Sequence, residues 1–169
     1  MAKSADPDPS RLKTNACRAL DALGIGYGLR AYDVDEDDLS AESVAKKVGL
    51  PAEQVWKTLC LRANDGAIVF ALVSADRELD FKLAAKLAGK KSLEPVAVKE
   101  LLGLTGYIRG GVTALAGKKT YPVFVDELME LCDEVSVSAG QRGLQIVLAP
   151  ADYLRAVDAV VGPISRAAV

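Results

Sequence analysis

The chain has 169 residues, 50% of them hydrophobic and 26% charged, which suits one globular domain with its own core and excludes a disordered chain. Twenty-one Lys and Arg against 23 Asp and Glu leave a net charge of −2, so RNA would have to meet a local basic patch rather than a basic molecule. The absence of His removes Ser-His-Asp and Cys-His catalysis in their usual forms, zinc sites built on His, and an imidazole base.

Residues 1–9 (MAKSADPDP) are polar and punctuated by proline, which predicts a flexible start before a domain spanning 10–169. No apolar signal core follows Met1-Ala2-Lys3-Ser4, and no apolar run approaches membrane-spanning length. A soluble, cytoplasmic protein without a membrane partner is therefore expected. Ser10 can cap a helix carrying Leu12, Ala16, Leu20 and Leu23 on one face. A short strand over 27–32 follows, then an acidic loop from Asp33 to Asp38. Ser40 opens a second helix with Val44, Ala45 and Val48 inward, closed by Gly49 with Pro51 beyond.

Residues 55–62 (VWKTLCLR) read as a strand, Asn64-Asp65-Gly66 as a hairpin turn, and 67–75 (AIVFALVSA) as a strand buried on both faces. Asp80 and Gly89 bracket a helix over 80–88, and Pro95 opens another to Leu102. Residues 103–120 hold five glycines and read as irregular. Strands are predicted at 121–125, 135–138 and 144–148, a short helix at 126–131, and a last helix from 149–152 onward, with 157–161 as an edge strand. The fold class is α/β, a single domain whose mixed sheet is curled or barrel-like with surrounding helices.

Three segments can carry chemistry. Strand alternation places Lys57 among Val55, Leu59 and Leu61. An ammonium there needs an acid or anion, or it snorkels to water over a packed stem; the pattern leaves both open. In Gly106-Tyr107-Ile108-Arg109-Gly110-Gly111, adjacent glycines either let N–H groups converge on an anion or oxyanion, or make a plain tight turn. It is neither a Walker loop nor a dinucleotide fingerprint. Arg109, Lys118 and Lys119 form a basic cluster, which taken alone is more often a solvated face than a phosphate site. Ser138-Ala139-Gly140-Gln141-Arg142-Gly143 is a pocket wall or a hairpin loop. Cys17, Cys60 and Cys132 form no CxxC pair, fit a reducing compartment, and read as buried apolar groups rather than nucleophiles. No metal or other cofactor is implied.

In their order along the chain, Val55-Trp56-Lys57-Thr58-Leu59, then Thr105-Gly106-Tyr107 with Gly110-Gly111 and Lys118-Lys119, then Ser138-Ala139-Gly140-Gln141-Arg142-Gly143-Leu144, resemble the YbaK/EbsC family. These are aminoacyl-tRNA deacylases related to the editing insertion domain of prolyl-tRNA synthetases, and the resemblance covers about residues 11 to 165. It implies the YbaK/prolyl-tRNA synthetase-associated fold and removal of a mischarged amino acid, most often cysteine from Cys-tRNA(Pro), by attack of the substrate's own thiol on its ester. It assigns catalysis to Lys57 with Gly110 and Gly111, substrate binding to Tyr32, Thr58, Thr113, Ser138, Gly140 and Gln145, and tRNA contact to Arg109, Lys118, Lys119 and Arg142. The partners it implies are the acceptor end of aminoacyl-tRNA and a prolyl-tRNA synthetase, not DNA. Two departures bear on the pocket. Thr113-Ala114-Leu115-Ala116 stands where similar members carry Ser-Pro-Leu-Gly, and Gln145 stands where many carry an acid. Editing of alanine or serine by water, and a module that binds aminoacyl-tRNA or a synthetase without turnover, are the competing readings.

Overall fold

The structure is a computed structural model and describes residues 13–168; the flexible start expected at 1–9, and Ser10 and Leu12, lie outside the described residues. Its centre is the hairpin of β2 (Trp56–Ala63) and β3 (Ile68–Ser74), paired from Trp56–Ser74 to Arg62–Ile68. The hydrophobic run of β3 predicts burial on both faces, and six of its seven residues are buried. Around the hairpin, β5 (Leu93–Pro95), β6 (Val123–Asp126) and β9 (Val160–Gly162) complete a five-stranded sheet in the order β5-β2-β3-β6-β9. The β3–β6 and β6–β9 pairs are parallel.

A second sheet of three antiparallel strands runs β1-β8-β7, built from β1 (Gly28–Ala31), β7 (Val135–Ser138) and β8 (Leu144–Leu148). A two-stranded ribbon joins β4 (Arg77–Leu79) to β10 (Ser165–Ala167). The mixed α/β class matches the expectation. Among the described residues, though, the strands form three sheets and do not close into one barrel. The first two sheets meet at a single parallel bridge, Val55–Ser136.

Alternation along the central strands divides the interior into two cores. Trp56, Cys60, Phe70, Leu72, Val123 and Val125 pack with α1 (Asn15–Ala22), the inner face of β7 and β8, and Tyr153 of α5 (Pro150–Ala156). Leu61, Val69, Ala71, Val73 and Phe124 pack with Ala84 and Ala85 of α3 (Phe81–Ala88). Each fully buried Val, Leu or Phe contributes about 1.5–3 kcal/mol, so one sheet stabilises both layers. A third, smaller cluster seats α2 (Ala41–Val48) on Val55 and Ala75 through Val44, Ala45 and Val48.

Local signals set the helix ends. Ser40 and Asp80 accept N–H bonds from Ser43 and Leu83, and Gly49 and Gly89 end their helices in the left-handed region. Four expectations change. The first helix starts at Asn15 with Thr14, not Ser10, as its cap, because Thr14 Oγ1 accepts the Cys17 N–H. The helix expected from Pro95 is instead the end of β5, followed by a 3-10 turn at Val98–Glu100 and α4 (Leu101–Thr105). A residue without N–H suits an edge strand as well as a helix start. The strand expected at 121–125 runs Val123–Asp126, and the edge strand expected at 157–161 begins at Val160.

Candidate functional site

From the Val55–Ser136 bridge the two sheets diverge, and β5 joins β2 only at Leu61 to Ala63. Between those points no described strand pairs with the edge of β2 opposite β3. Val96 N–H donates to the Cys60 carbonyl at 3.2 Å, so the backbone groups of Thr58 and Trp56, two and four residues back, turn to that same side. The wedge is a cavity of about 560 Å³. Its floor is β2. Its walls are Leu39, Ala41 and Val44 at the start of α2, Pro95, Val98 and Leu101 opposite, and Arg109, Gly110, Ser138 and Gln145 at the rim.

Lys57 lines this cavity half-buried, its stem on the face of Leu59 and Leu61. Its Nζ donates to the Arg77 carbonyl at 2.8 Å, a neutral partner, and no carboxylate pairs with it among the described residues. An ammonium has three donors, so two remain for an anion or ester oxygen. Thr58 lines the cavity with a buried Oγ1 that has no partner among the described residues. Ser138 Oγ accepts the Gly140 N–H at 3.2 Å and keeps its own proton to donate. Gln145, 5% exposed, accepts the Ser136 hydroxyl at Oε1 at 2.9 Å.

The two loops lock together above this floor. A Cβ on Gly111 would meet the backbone of Gln141 and Arg142 at 3.1–3.2 Å, and one on Gly140 would meet the Tyr107 ring at 2.8 Å. Both positions therefore require glycine for close approach. Arg142 Nε donates to the Arg109 carbonyl at 2.8 Å, and the Tyr107 hydroxyl donates to the Leu115 carbonyl at 2.6 Å. Tyr107 is the pin of this arrangement, a role that its place in the glycine-rich segment did not reveal.

The residues singled out in the sequence thus separate. Lys57, Thr58, Arg109, Gly110, Ser138 and Gln145 line one cavity. Gly111 does not line it, and its N–H already donates to the Ile108 carbonyl at 2.9 Å. Of the glycine pair, Gly110 is left to present a donor. Tyr32 packs against α2 with Lys47 Nζ 6.0 Å from its ring centre. Thr113 is buried, its Oγ1 accepting the Leu115 N–H at 3.3 Å. Gly140 and Arg142 shape the loops behind the wall, and Lys118 and Lys119 are exposed outside it. The apolar side contributed by Leu39, Val44, Val98 and Leu101 carries no motif, only apolar residues from a loop, α2, a 3-10 turn and α4.

Cys60 is the thiol on the cavity wall. Burial pushes it up to about 11, against a smaller opposing pull from Arg62, so it is protonated near neutrality and a poor nucleophile. Cys17 is buried in the main core, and Cys132 stands outside this cavity with its thiol also raised by burial. Among the described residues no group of three or more His, Cys, Asp or Glu side chains is placed to hold a metal ion.

Residues 35–156 match the model of the aminoacyl-tRNA editing domain. The chain is 40% identical over 138 residues to a protein of Enterococcus faecalis provisionally named the Cys-tRNA(Pro)/Cys-tRNA(Cys) deacylase EbsC, covering 82% of this chain and 84% of that one. A crystal structure of a provisionally assigned trans-editing enzyme for prolyl tRNA synthetase superposes with a TM-score of 0.78 at 26% identity, over 92% of this chain and 99% of the other. The hypothetical protein APE2540 shares the fold, with a TM-score of 0.82 at 23% identity over 90% and 100% of the two chains. The chain therefore belongs to the aminoacyl-tRNA editing domain family and is an enzyme of the aminoacyl-tRNA deacylase class.

Proposed function

We propose that this protein clears cysteine from mischarged tRNA, Cys-tRNA(Pro) foremost, with the substrate supplying the nucleophile. The observation that carries the reading is a cavity lined by Lys57, Gly110, Ser138 and Gln145 whose one protein thiol, Cys60, burial keeps protonated. The name of the Enterococcus faecalis relative supports the amino acid, and the trans-editing structure supports prolyl-tRNA synthetase as the partner that supplies tRNA selectivity. The cytoplasm, where aminoacyl-tRNA is made and used, is the compartment that follows.

An aminoacyl ester is already activated, so folding the side chain back on it is most of the task. The cysteinyl sulfur attacks its own ester carbonyl, an S–C bond forms, and the bond to the ribose 3′ oxygen breaks. Cysteine thiolactone leaves, and the thiol proton ends on the 3′-hydroxyl. The Gly110 N–H, with the Thr58 backbone at the open edge of β2, faces the oxyanion; such a donor is worth about 3–4 kcal/mol in well-studied sites. The Lys57 ammonium holds the ester or terminal phosphate oxygens and favours the thiolate, a minor form for a thiol of pKa near ~8.5. Arg109 stands at the mouth for the acceptor end, with Lys118, Lys119 and Arg142 on the adjoining loops.

The test is single-turnover deacylation of Cys-, Ala- and Ser-tRNA(Pro), with trapping of the released product. Rapid loss from Cys-tRNA(Pro) with thiolactone trapped is expected. Equal rates on Ala-tRNA(Pro) or Ser-tRNA(Pro) would replace the substrate thiol by water. Tight binding without turnover would make the chain a binding module.

A further inference from the structure

Gln145 reaches the cavity from the second position of β8, and its surroundings decide which way its amide reads. The Ser136 hydroxyl, itself buried, donates to Oε1 at 2.9 Å. That bond fixes the carbonyl end toward β7 and leaves the amide NH₂, a pure donor, for whatever occupies the cavity. The charged and titratable side chains around it are Lys57 and Cys60 on the floor, Arg109 at the rim, and Arg30 opposite in register on β1. Arg30 is held away by a 2.7 Å bond to the Val48 carbonyl. Among the described residues lining the cavity there is no Asp or Glu. Ser138 adds a neutral hydroxyl, which does not offset the desolvation of an ammonium, and the Thr58 hydroxyl is sealed from the cavity.

An aminoacyl ester carries an α-amino group, and its ammonium form would enter a pocket walled by cations and facing a donor. The uncharged amine has a lone pair that accepts the Gln145 N–H. An acylated nitrogen presents an amide oxygen that can do the same. We propose that Gln145, set by Ser136, is a specificity-determining residue that admits aminoacyl groups with an uncharged α-nitrogen, so that N-acylated aminoacyl esters are substrates of this cavity alongside the free amine. The proposal rests on the deacylase reading of the site but not on its thiol chemistry.

The experiment separates the two by measuring binding without turnover. The probes are 3′-deoxy-3′-(serylamino)adenosine and its N-acetyl derivative, which carry no thiol and whose amide links cannot be cleaved as esters, titrated by calorimetry between pH 6 and 8. An α-amino group near 7.7–8.0 is only about 1–2% neutral at pH 6 and about half or more at pH 8. Binding of the free amine should therefore tighten about 30- to 50-fold across that range, while the N-acetyl probe binds equally at both ends. The Cys60 thiol, raised to about 11, does not change over that interval. Gln145→Glu should invert the pattern, binding the free amine better at pH 6 and the N-acetyl probe at least tenfold more weakly. Gln145→Leu, which cannot donate, should weaken both probes at pH 8. A free-amine affinity that is flat with pH, or a wild-type protein that rejects the N-acetyl probe, would overturn the proposal. If the probes bind as expected while Cys-tRNA(Pro) survives, the deacylase reading fails and the amine selectivity stands.

Discussion

Lys57 shows how far one residue can be read from its strand neighbours. Alternation places it in an apolar row, and the structure keeps it there, half-buried at the cavity with its stem beside Leu59. The sequence left two fates for the ammonium, an anionic partner or open water. The structure gives it a neutral one, the Arg77 carbonyl 20 residues away in the chain. No local pattern signals that contact, because it depends on the turn after β3 folding back over the strand. A single bond to a carbonyl leaves the charge mostly uncompensated, so an anionic ligand gains more from Lys57 than the fold does. Lys57→Ala should slow single-turnover deacylation of Cys-tRNA(Pro) by tenfold or more, the loss of a charged hydrogen bond of about 1.5–3 kcal/mol. Its melting temperature should hold, since the lost bond and the relieved desolvation oppose each other. Lys57→Arg should rescue poorly, because a planar fork does not fill the place of a compact ammonium. Full activity in Lys57→Ala would return the residue to a snorkelling role, and a collapsed melting temperature would make it structural.

Elements closed by their own sequence were legible, and elements closed by distant pairing were not. α2 and α3 carry both caps within a few residues, so Ser40 with Gly49 and Asp80 with Gly89 mark them without any tertiary knowledge. The three-residue strands β4 and β10 have no period to detect, and they exist only because residues 77–79 meet 165–167. Asp126 joins the two kinds. The sequence places it first in the short helix expected at 126–131; it is instead the cap, its Oδ2 accepting the Leu128 N–H at 3.3 Å. Yet Oδ1 also accepts the N–H groups of Ile164 and Ser165, each at 2.9 Å, so one carboxylate, 2% exposed, ties the end of β6 to the start of β10. Asp126→Ala would strand buried donors at about 1–3 kcal/mol each. Chemical denaturation should show a loss of several kcal/mol. Hydrogen exchange should show the β4–β10 ribbon opening before the β2–β3 hairpin. An unchanged denaturation midpoint would mean that water replaces the carboxylate and the tie is dispensable.

At the scale of the molecule, the site is a gap between two sheets, and that is why only part of it was legible. The motifs sit on loops, on β2 and at the facing ends of β7 and β8, and their order along the chain pointed to the family. Which members share a cavity depends on how β2 leaves β7 after the Val55–Ser136 bridge. Lys57, Gly110, Ser138 and Gln145 converge there, whereas Tyr32 and Thr113 turn into packing. The same geometry bears on RNA binding. The chain is acidic by two charges overall, so on the proposed function the attraction for a polyanion falls to the few cations on the loops around the cavity. Arg109, Lys118 and Lys119 are exposed, and Arg142 is tied by its Nε to the Arg109 carbonyl. Each phosphate neutralised on a single strand contributes about −0.7 to the slope of log affinity against log salt, and on a duplex about −0.9. With four cations available, the slope for an acceptor-stem substrate should be no steeper than about −3 to −4, shallow beside that of a basic RNA-binding protein. Lys118→Ala and Lys119→Ala should each flatten it by just under one and raise KM for Cys-tRNA(Pro), while the single-turnover rate at saturation stays unchanged. Steady-state deacylation across a potassium chloride series, repeated for each variant, measures both quantities. A slope unaltered in the double variant would move the RNA path off these loops and across another face of the molecule.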